Sequence, residues 1–249
     1  MAPNTLLTGE SWQTISLHVK GFDLFTESSY HEAVGVLQEA LEDQGVTTTH
    51  MPCHVAETEF PATTDEITTH DTVVLSDIGY NTLAIPPSTF ADFERVPDRL
   101  QLVEDYVRGG GGLLMIGGYL SFQGINGKGG YYGTPIEEAL PVSLERFDDR
   151  GERSDGVRAE VVDSDHPVTA DLPAEWPSFL GYNRVTVDGN ATELVSVGDD
   201  PLVVVGEHGD GRVAVFTSDC APHWGPPEFT EWEHYGRMWA TLIEWLADA

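Results

Sequence analysis

Residues 109–124 read GGGGLLMIGGYLSFQG, and no other stretch restricts the fold as much. Four glycines lead into the apolar run Leu113-Leu114-Met115-Ile116. Gly117 and Gly118 then permit a sharp turn through Tyr119, Leu120 and Ser121. So short and apolar a run reads as a strand covered on both faces, as in a parallel sheet between helices. A strand ending in a glycine-flanked turn is how α/β enzymes raise one side chain above the sheet. The segment therefore predicts an α/β fold with its chemistry at strand ends.

The flanking sequence supplies the alternation such a sheet needs. Residues 5–7 predict a first strand running into Gly9, Glu10, Ser11 and Trp12. From Tyr30 to Gln44, apolar residues including Val34, Leu37 and Leu41 recur at helical spacing, with Ser28 or Ser29 to cap the helix and Gly45 to end it. Val46–Met51 predicts a second strand, stopped by Pro52 before Cys53 and His54. Residues 71–76 (DTVVLS) predict a third. Asp98 caps a helix bearing Leu102, Val103, Tyr106 and Val107. The order β-α-β-β-α-β predicts an open, doubly wound, mostly parallel sheet with helices on both faces.

Residues 140–206 read instead as a β-rich elaboration, with short candidate strands at 158–162, 183–187, 193–197 and 202–205. His208–Arg212 (HGDGR) predicts a tight turn between strands. Arg212–Ser218 predicts the last strand and 228–247 a closing helix, with Trp232, Tyr235, Trp239, Leu242, Ile243 and Leu246 on one face. No repeat, low-complexity tract or linker interrupts the chain, so residues 1–249 are expected to form a single domain.

Charge limits the partners. The chain carries 42 acids against 12 bases, a net charge of −30, and its lysines are Lys20 and Lys128. Disordered acidic chains lack aromatics; this one has six Trp, eight Tyr and ten Phe. A folded, halophilic protein with an acidic, lysine-poor surface is expected, since molar salt shortens the Debye length to roughly 3 Å and makes self-repulsion tolerable. The same charge argues against nucleic acid and anionic membranes. Without a signal peptide or an 18-residue apolar run, a soluble, cytoplasmic protein is expected. Two cysteines, Cys53 and Cys220, make no disulfide framework and no zinc-ribbon spacing.

In open α/β sheets ligands bind beyond the carboxyl ends of the strands. The first strand end offers Glu10, Ser11 and Trp12. The second offers Cys53 and His54, the third Ser76, Asp77 and Asn81, the fourth Tyr119, Ser121 and Gln123, and the last Asp219, His223 and Trp224. Each set also has a plain structural reading, as caps, turns or rim packing, and buried cysteines are usually inert. His18, Lys20 and Asp23 lie in an aromatic-rich segment that reads equally as a structured loop or as a cover over a ligand.

Together GESW, KGFD, MPCH, LSDIGYNT, GGGGLLMIGGYLSFQGI, GYN, GRVAVFTSD and APHWG resemble the class I glutamine amidotransferase-like superfamily, in its putative glutamine amidotransferase branch related to ThuA-like (trehalose utilisation) proteins. The resemblance spans most of the chain and implies a flavodoxin-like sheet with a site at the strand carboxyl ends. It also implies a catalytic cysteine in a G-x-C-x-G turn, activated by an H-x-E motif. Gly118-Tyr119-Leu120 stands in place of that turn. His223 falls near the base but is followed by Trp224 and Gly225, with no acid two residues on.

Three functions follow. The first is an enzyme, a hydrolase or lyase in which His223, His54, Asp77 and Tyr119 carry acid–base chemistry. Glu10, Ser11, Trp12, Asn81, Ser121, Gln123 and Trp224 would then bind a polar, carbohydrate-derived small molecule. A metal-dependent variant would place a divalent ion among His54, His223, Asp77 and Asp219. The second is a non-catalytic binding or homo-oligomer assembly module. The third is a glutaminase using Cys220 or Cys53.

Overall fold

The computed structural model describes residues 2–249. The amino-terminal half contains β1 (Asn4–Gly9), β2 (Ser11–Lys20), β3 (Asp23–Glu32), α1 (Gly35–Asp43), β4 (Thr47–Met51), α2 (Cys53–Glu59), α3 (Thr64–Ile67), β5 (Thr72–Ser76), α4 (Tyr80–Ala84), α5 (Pro87–Asp92), α6 (Arg99–Arg108) and β6 (Gly112–Ile116). There follow α7 (Pro135–Ala139), β7 (Val142–Leu144), β8 (Val157–Val161), β9 (Glu175–Phe179), β10 (Val185–Val187), β11 (Thr192–Val197), β12 (Asp200–His208), β13 (Gly211–Phe216), α8 (Pro227–Thr230) and α9 (Tyr235–Ala247).

Among the described residues, nine strands form one mixed sheet in the order β4-β1-β5-β6-β13-β12-β11-β8-β9. The first five are parallel neighbours. Their order is the flavodoxin-like 2-1-3-4-5. Successive strand residues point to opposite faces, and both faces are covered. Val74 and Leu114 join one core with Leu37 and Leu41 of α1 and Trp239 and Leu242 of α9. Val73, Leu75, Leu113 and Met115 join the other with Val103, Tyr106 and Val107 of α6. Burial on both sides accounts for the unbroken apolar runs in the sequence.

The β-rich elaboration is the antiparallel half of this same sheet. The turn at 208–212 joins β12 to β13, and β11, β8 and β9 continue outward from β12. β9 is the edge strand and carries Pro177, which hides it in the sequence and is tolerated at an edge. β7 and β10 pair separately.

Two expectations are corrected. The helix expected from Tyr30 begins only at Gly35, because β2 and β3 form a ten-pair hairpin reaching Glu32. Ser28 and Ser29 are therefore strand residues, and Val34 occupies the N-cap without a side-chain bond. The alternation of Ile15, Leu17 and Val19 is the strand period that governs the segment. The closing helix is also broken, α8 ending at Thr230 and α9 starting at Tyr235. Trp232 lies in the break, where its ring sits 5.4 Å from that of Trp176 on β9. Among the described residues no helix is long and apolar enough to cross a membrane.

Candidate active site at the strand carboxyl ends

Because β1, β4, β5, β6 and β13 are parallel, their carboxyl ends share one rim. The backbone there is strained: Glu10 (φ 48°), Asp77 (φ 43°) and Phe122 (φ 49°) are left-handed. Such conformations cost about 1–3 kcal/mol each and persist only where the surroundings enforce them. At the end of β1, Gly9 (φ 115°) lies so close to β5 that a Cβ would stand 1.7 Å from the Ser76 carbonyl oxygen. Glu10 is thereby turned inward beneath the rim.

The turn after β6 is held from two directions. From β5, the Asp77 carboxylate Oδ1 accepts from the Leu120 N–H at 2.7 Å, and the Asp77 N–H donates to Ser121 Oγ at 3.0 Å. A Cβ on Gly118 (φ 153°) would fall 2.8 Å from Asp77 Oδ1, so this approach needs glycine. From the antiparallel half, Asn183 Oδ1 accepts from the Gly118 N–H at 3.0 Å. Asp149, fully buried, accepts from the Gln123 and Gly124 N–H groups at 2.9 Å each and from Asn183 Nδ2 at 2.8 Å. Asp149 and Asn183 were not among the candidate residues. Asn183 stood within the GYN segment, whereas Asp149 is indistinguishable in sequence from a surface acid.

Below the turn lies a buried acidic group. Ser76 Oγ donates to Glu10 Oε1 at 2.5 Å and stands 3.8 Å from the Cys220 sulfur. Burial, then the nearby Asp219 and Asp77 carboxylates, push the Glu10 carboxyl well above its usual range. Burial likewise raises Asp77 to about 6, partly offset by the Leu120 N–H bond and by His223. Burial raises both thiols, Cys53 and, more strongly, Cys220. Both are therefore protonated at neutral pH, and a thiolate is the form that attacks.

His223 stands over this group at the open edge. Its Nδ1 is 3.5 Å from Asp219 Oδ2, and its side chain is 42% exposed. The Asp219 bond is the largest cause holding the imidazole above its ordinary value, against desolvation and with help from Asp77 and Glu152. Asp219 thus places a carboxylate beside the imidazole from four residues before it, where none stands two residues after it. The Tyr119 ring meets His223 edge-on at 4.4 Å. Its hydroxyl donates to Glu152 at 3.0 Å, with Arg150 over the ring at 5.1 Å. Arg150 is itself paired with Asp148 and Glu152.

The expected residues thus divide. Asp77, Tyr119, Ser121, Asp219 and His223 come together, with Glu10 beneath. Trp224 stacks on His223 at 5.6 Å but is buried, so it backs the imidazole instead of facing a ligand. Gln123 is buried, and its side-chain oxygen accepts from the Tyr132 N–H. His54 is exposed and meets Tyr30 edge-on at 5.1 Å. With Ser11, Trp12 and Cys53 it lines a separate cavity of about 220 Å³ beside the hairpin. Asn81 is exposed on α4. The metal set of His54, His223, Asp77 and Asp219 does not assemble. Among the described residues, the ligand atoms found within 4.8 Å of one another belong to Glu10, Asp219 and Cys220.

This fold defines an α/β protein of the class I glutamine amidotransferase-like kind, with Gly118-Tyr119-Leu120 where a thiol turn would stand and the His223–Asp219 pair beside it. The chain belongs to the family described as putative glutamine amidotransferase, whose model matches residues 4–248. It is similar to two cytoplasmic proteins of Salmonella typhimurium. One is 41% identical with a TM-score of 0.94, covering 97% of this chain and 98% of the other; the second is 42% identical with a TM-score of 0.94, covering 98% and 99%. A putative ThuA-like protein of Bacteroides uniformis shares the fold at 13% identity and a TM-score of 0.61, covering 98% of this chain and 92% of its own. No curated protein matches the chain.

Proposed function

We propose that the rim is an acid–base site acting on a neutral, polyhydroxylated small molecule of carbohydrate origin. The observation that carries this reading is the His223–Asp219 pair beside Tyr119, above a buried carboxyl group. A carboxylate on one ring nitrogen orients the imidazole and leaves the other free to exchange a proton with a substrate hydroxyl. Asp77, titrating near 6, is suited to pass a proton at neutral pH. Tyr119 offers a phenol and a ring edge beside the imidazole. The carboxylates of Asp77, Asp219 and Glu152 surround the site, and the nearby Arg150 is already engaged, so anionic substrates are disfavoured. Protonated thiols argue against cysteine-dependent glutamine hydrolysis. The family match over residues 4–248 supports one functional unit, and the description of the two similar Salmonella proteins supports a cytoplasmic location.

The test is a melting-temperature screen of sugars, sugar acids, polyols and amino acids, followed by product analysis on each hit. Ligand at a hundred times its Kd stabilises the native state by about 2.7 kcal/mol. A neutral polyol should raise the wild-type melting temperature, and the shift should shrink in Tyr119→Phe. His223→Gln should abolish turnover. A hit whose binding and turnover survive both substitutions would overturn the reading.

A further inference from the structure

The β2–β3 hairpin belongs to neither core. It forms a separate two-stranded sheet, and almost every residue in it is exposed. Residues directly opposite in an antiparallel pair share a face. The register therefore places Ile15, Leu17, Val19 and Leu24 together, with Gln13, Thr26, Ser28 and Tyr30. Ile15 is 72% exposed, Leu17 60%, Val19 64% and Leu24 62%, and Phe22 at the tip is fully open. Glu32, at the base and bonded to the Tyr30 hydroxyl, is the one charged residue on that face. The opposite face carries the charges Lys20, Asp23 and Glu27, with His18 and His31 beside them.

A lone two-stranded hairpin is at best marginally stable in water, and soluble monomers rarely expose so continuous an apolar stripe. Two ten-residue strands make a face about 33 Å by 10 Å. With side-chain relief and the tip it offers on the order of 500–800 Å², close to one partner's share of a standard interface. The occupant is selected by charge. Two chains of net charge −30 repel wherever their acids meet, and this face is where charge has been removed. An isologous contact across a two-fold axis matches like with like.

We propose that the hairpin is a dimerisation arm whose uncharged apolar face packs against the same face of a second copy of this chain. At its base the hairpin borders the 220 Å³ cavity, which Ser11, Gln13 and Tyr30 of this face line together with Trp12 of the other face and Glu57 of α2.

Sedimentation velocity at 1–100 µM in molar KCl tests the arm. The wild type should be a dimer. Leu17→Asp combined with Leu24→Asp should weaken association on the order of a hundredfold or more, given the apolar burial lost at each leucine. Thr14→Asp with Ser16→Lys, on the charged face, should change it little. Since the charged variants could disturb the hairpin itself, single cysteines provide a second reading. Under mild oxidation Ile15→Cys, Leu17→Cys or Val19→Cys should yield a covalent dimer, and His18→Cys should not. A wild type that stays monomeric at 100 µM overturns the proposal. So does a dimer that resists both aspartates and cross-links instead through Phe90→Cys on α5, where Phe90 is 78% exposed.

Discussion

Replacing Asp77 by Asn should stabilise the protein, and increasingly so as pH rises. Asn keeps the oxygen that accepts from the Leu120 N–H and tolerates the left-handed backbone at this position. What it removes is a buried charge. The carboxyl titrates at 3.8 when free and about 6 in the fold. A raised acid pKa means that the native state binds the proton more tightly than the unfolded chain. Stability is then lost as pH climbs through the interval from 3.8 to 6, and the loss is complete above it. At about 1.36 kcal/mol per pKa unit the full penalty is about 3 kcal/mol. Asp77→Asn should therefore gain about 1 kcal/mol at pH 4.5 and about 3 kcal/mol at pH 8. Guanidinium unfolding at both pH values measures the two gains, provided the m-value is unchanged. A pH-independent difference, or a loss at pH 8, would refute the assignment of Asp77 as a destabilised, proton-holding group.

Other outcomes follow from the same rim. Asp149→Ala strands two backbone N–H groups and the Asn183 amide in a buried site, and should cost about 3–5 kcal/mol in denaturant unfolding. Gly118→Ala forces a Cβ against Asp77 at a backbone angle hostile to L residues. It should cost about 1–3 kcal/mol and alter the Asp77 titration, as read by carboxyl NMR. The His223 imidazole should titrate above 6.5, and Asp219→Asn should lower it, both visible in its ring proton shifts. The stability this pair contributes is present below pH 6.5 and lost as pH rises through the folded value, so His223→Gln should be more harmful in weak acid than in alkali.

The parallel half was legible because its strands are buried on both faces. Val73-Val74-Leu75 and Leu113–Ile116 leave no polar residue to confuse strand with turn, and their shared direction placed five strand ends on one rim. The hairpin was missed for the opposite reason. Its strand-period alternation runs directly into Ala33, Val34 and Leu37, and without a breaker the helical spacing extended backwards over Tyr30. Within the site, His223, Asp77 and Tyr119 announced themselves by following apolar strands. The pairing of Asp219 with His223 and the burial of Asp149 depend on how the loop after β13 and the segment before Asn183 fold back. One-dimensional spacing does not encode that. His54 was drawn in by the same strand-end rule, but α2 starts at Cys53 and carries it to the hairpin side.

The position of β13 has a consequence for synthesis. Of the nine strands of this sheet it is the last in chain order, yet it lies at the centre, between β6 and β12. Until Phe216 has left the ribosome, the parallel and antiparallel halves have no common edge. Each then presents an open, apolar strand where its partner will insert. The rim is completed later still, when Asp219 and His223 emerge. Assembly is therefore governed by contacts of long sequence separation, which form slowly. A chain released before residue 211 would hold most of its secondary structure, two exposed sheet edges and no working site, a species disposed to aggregate.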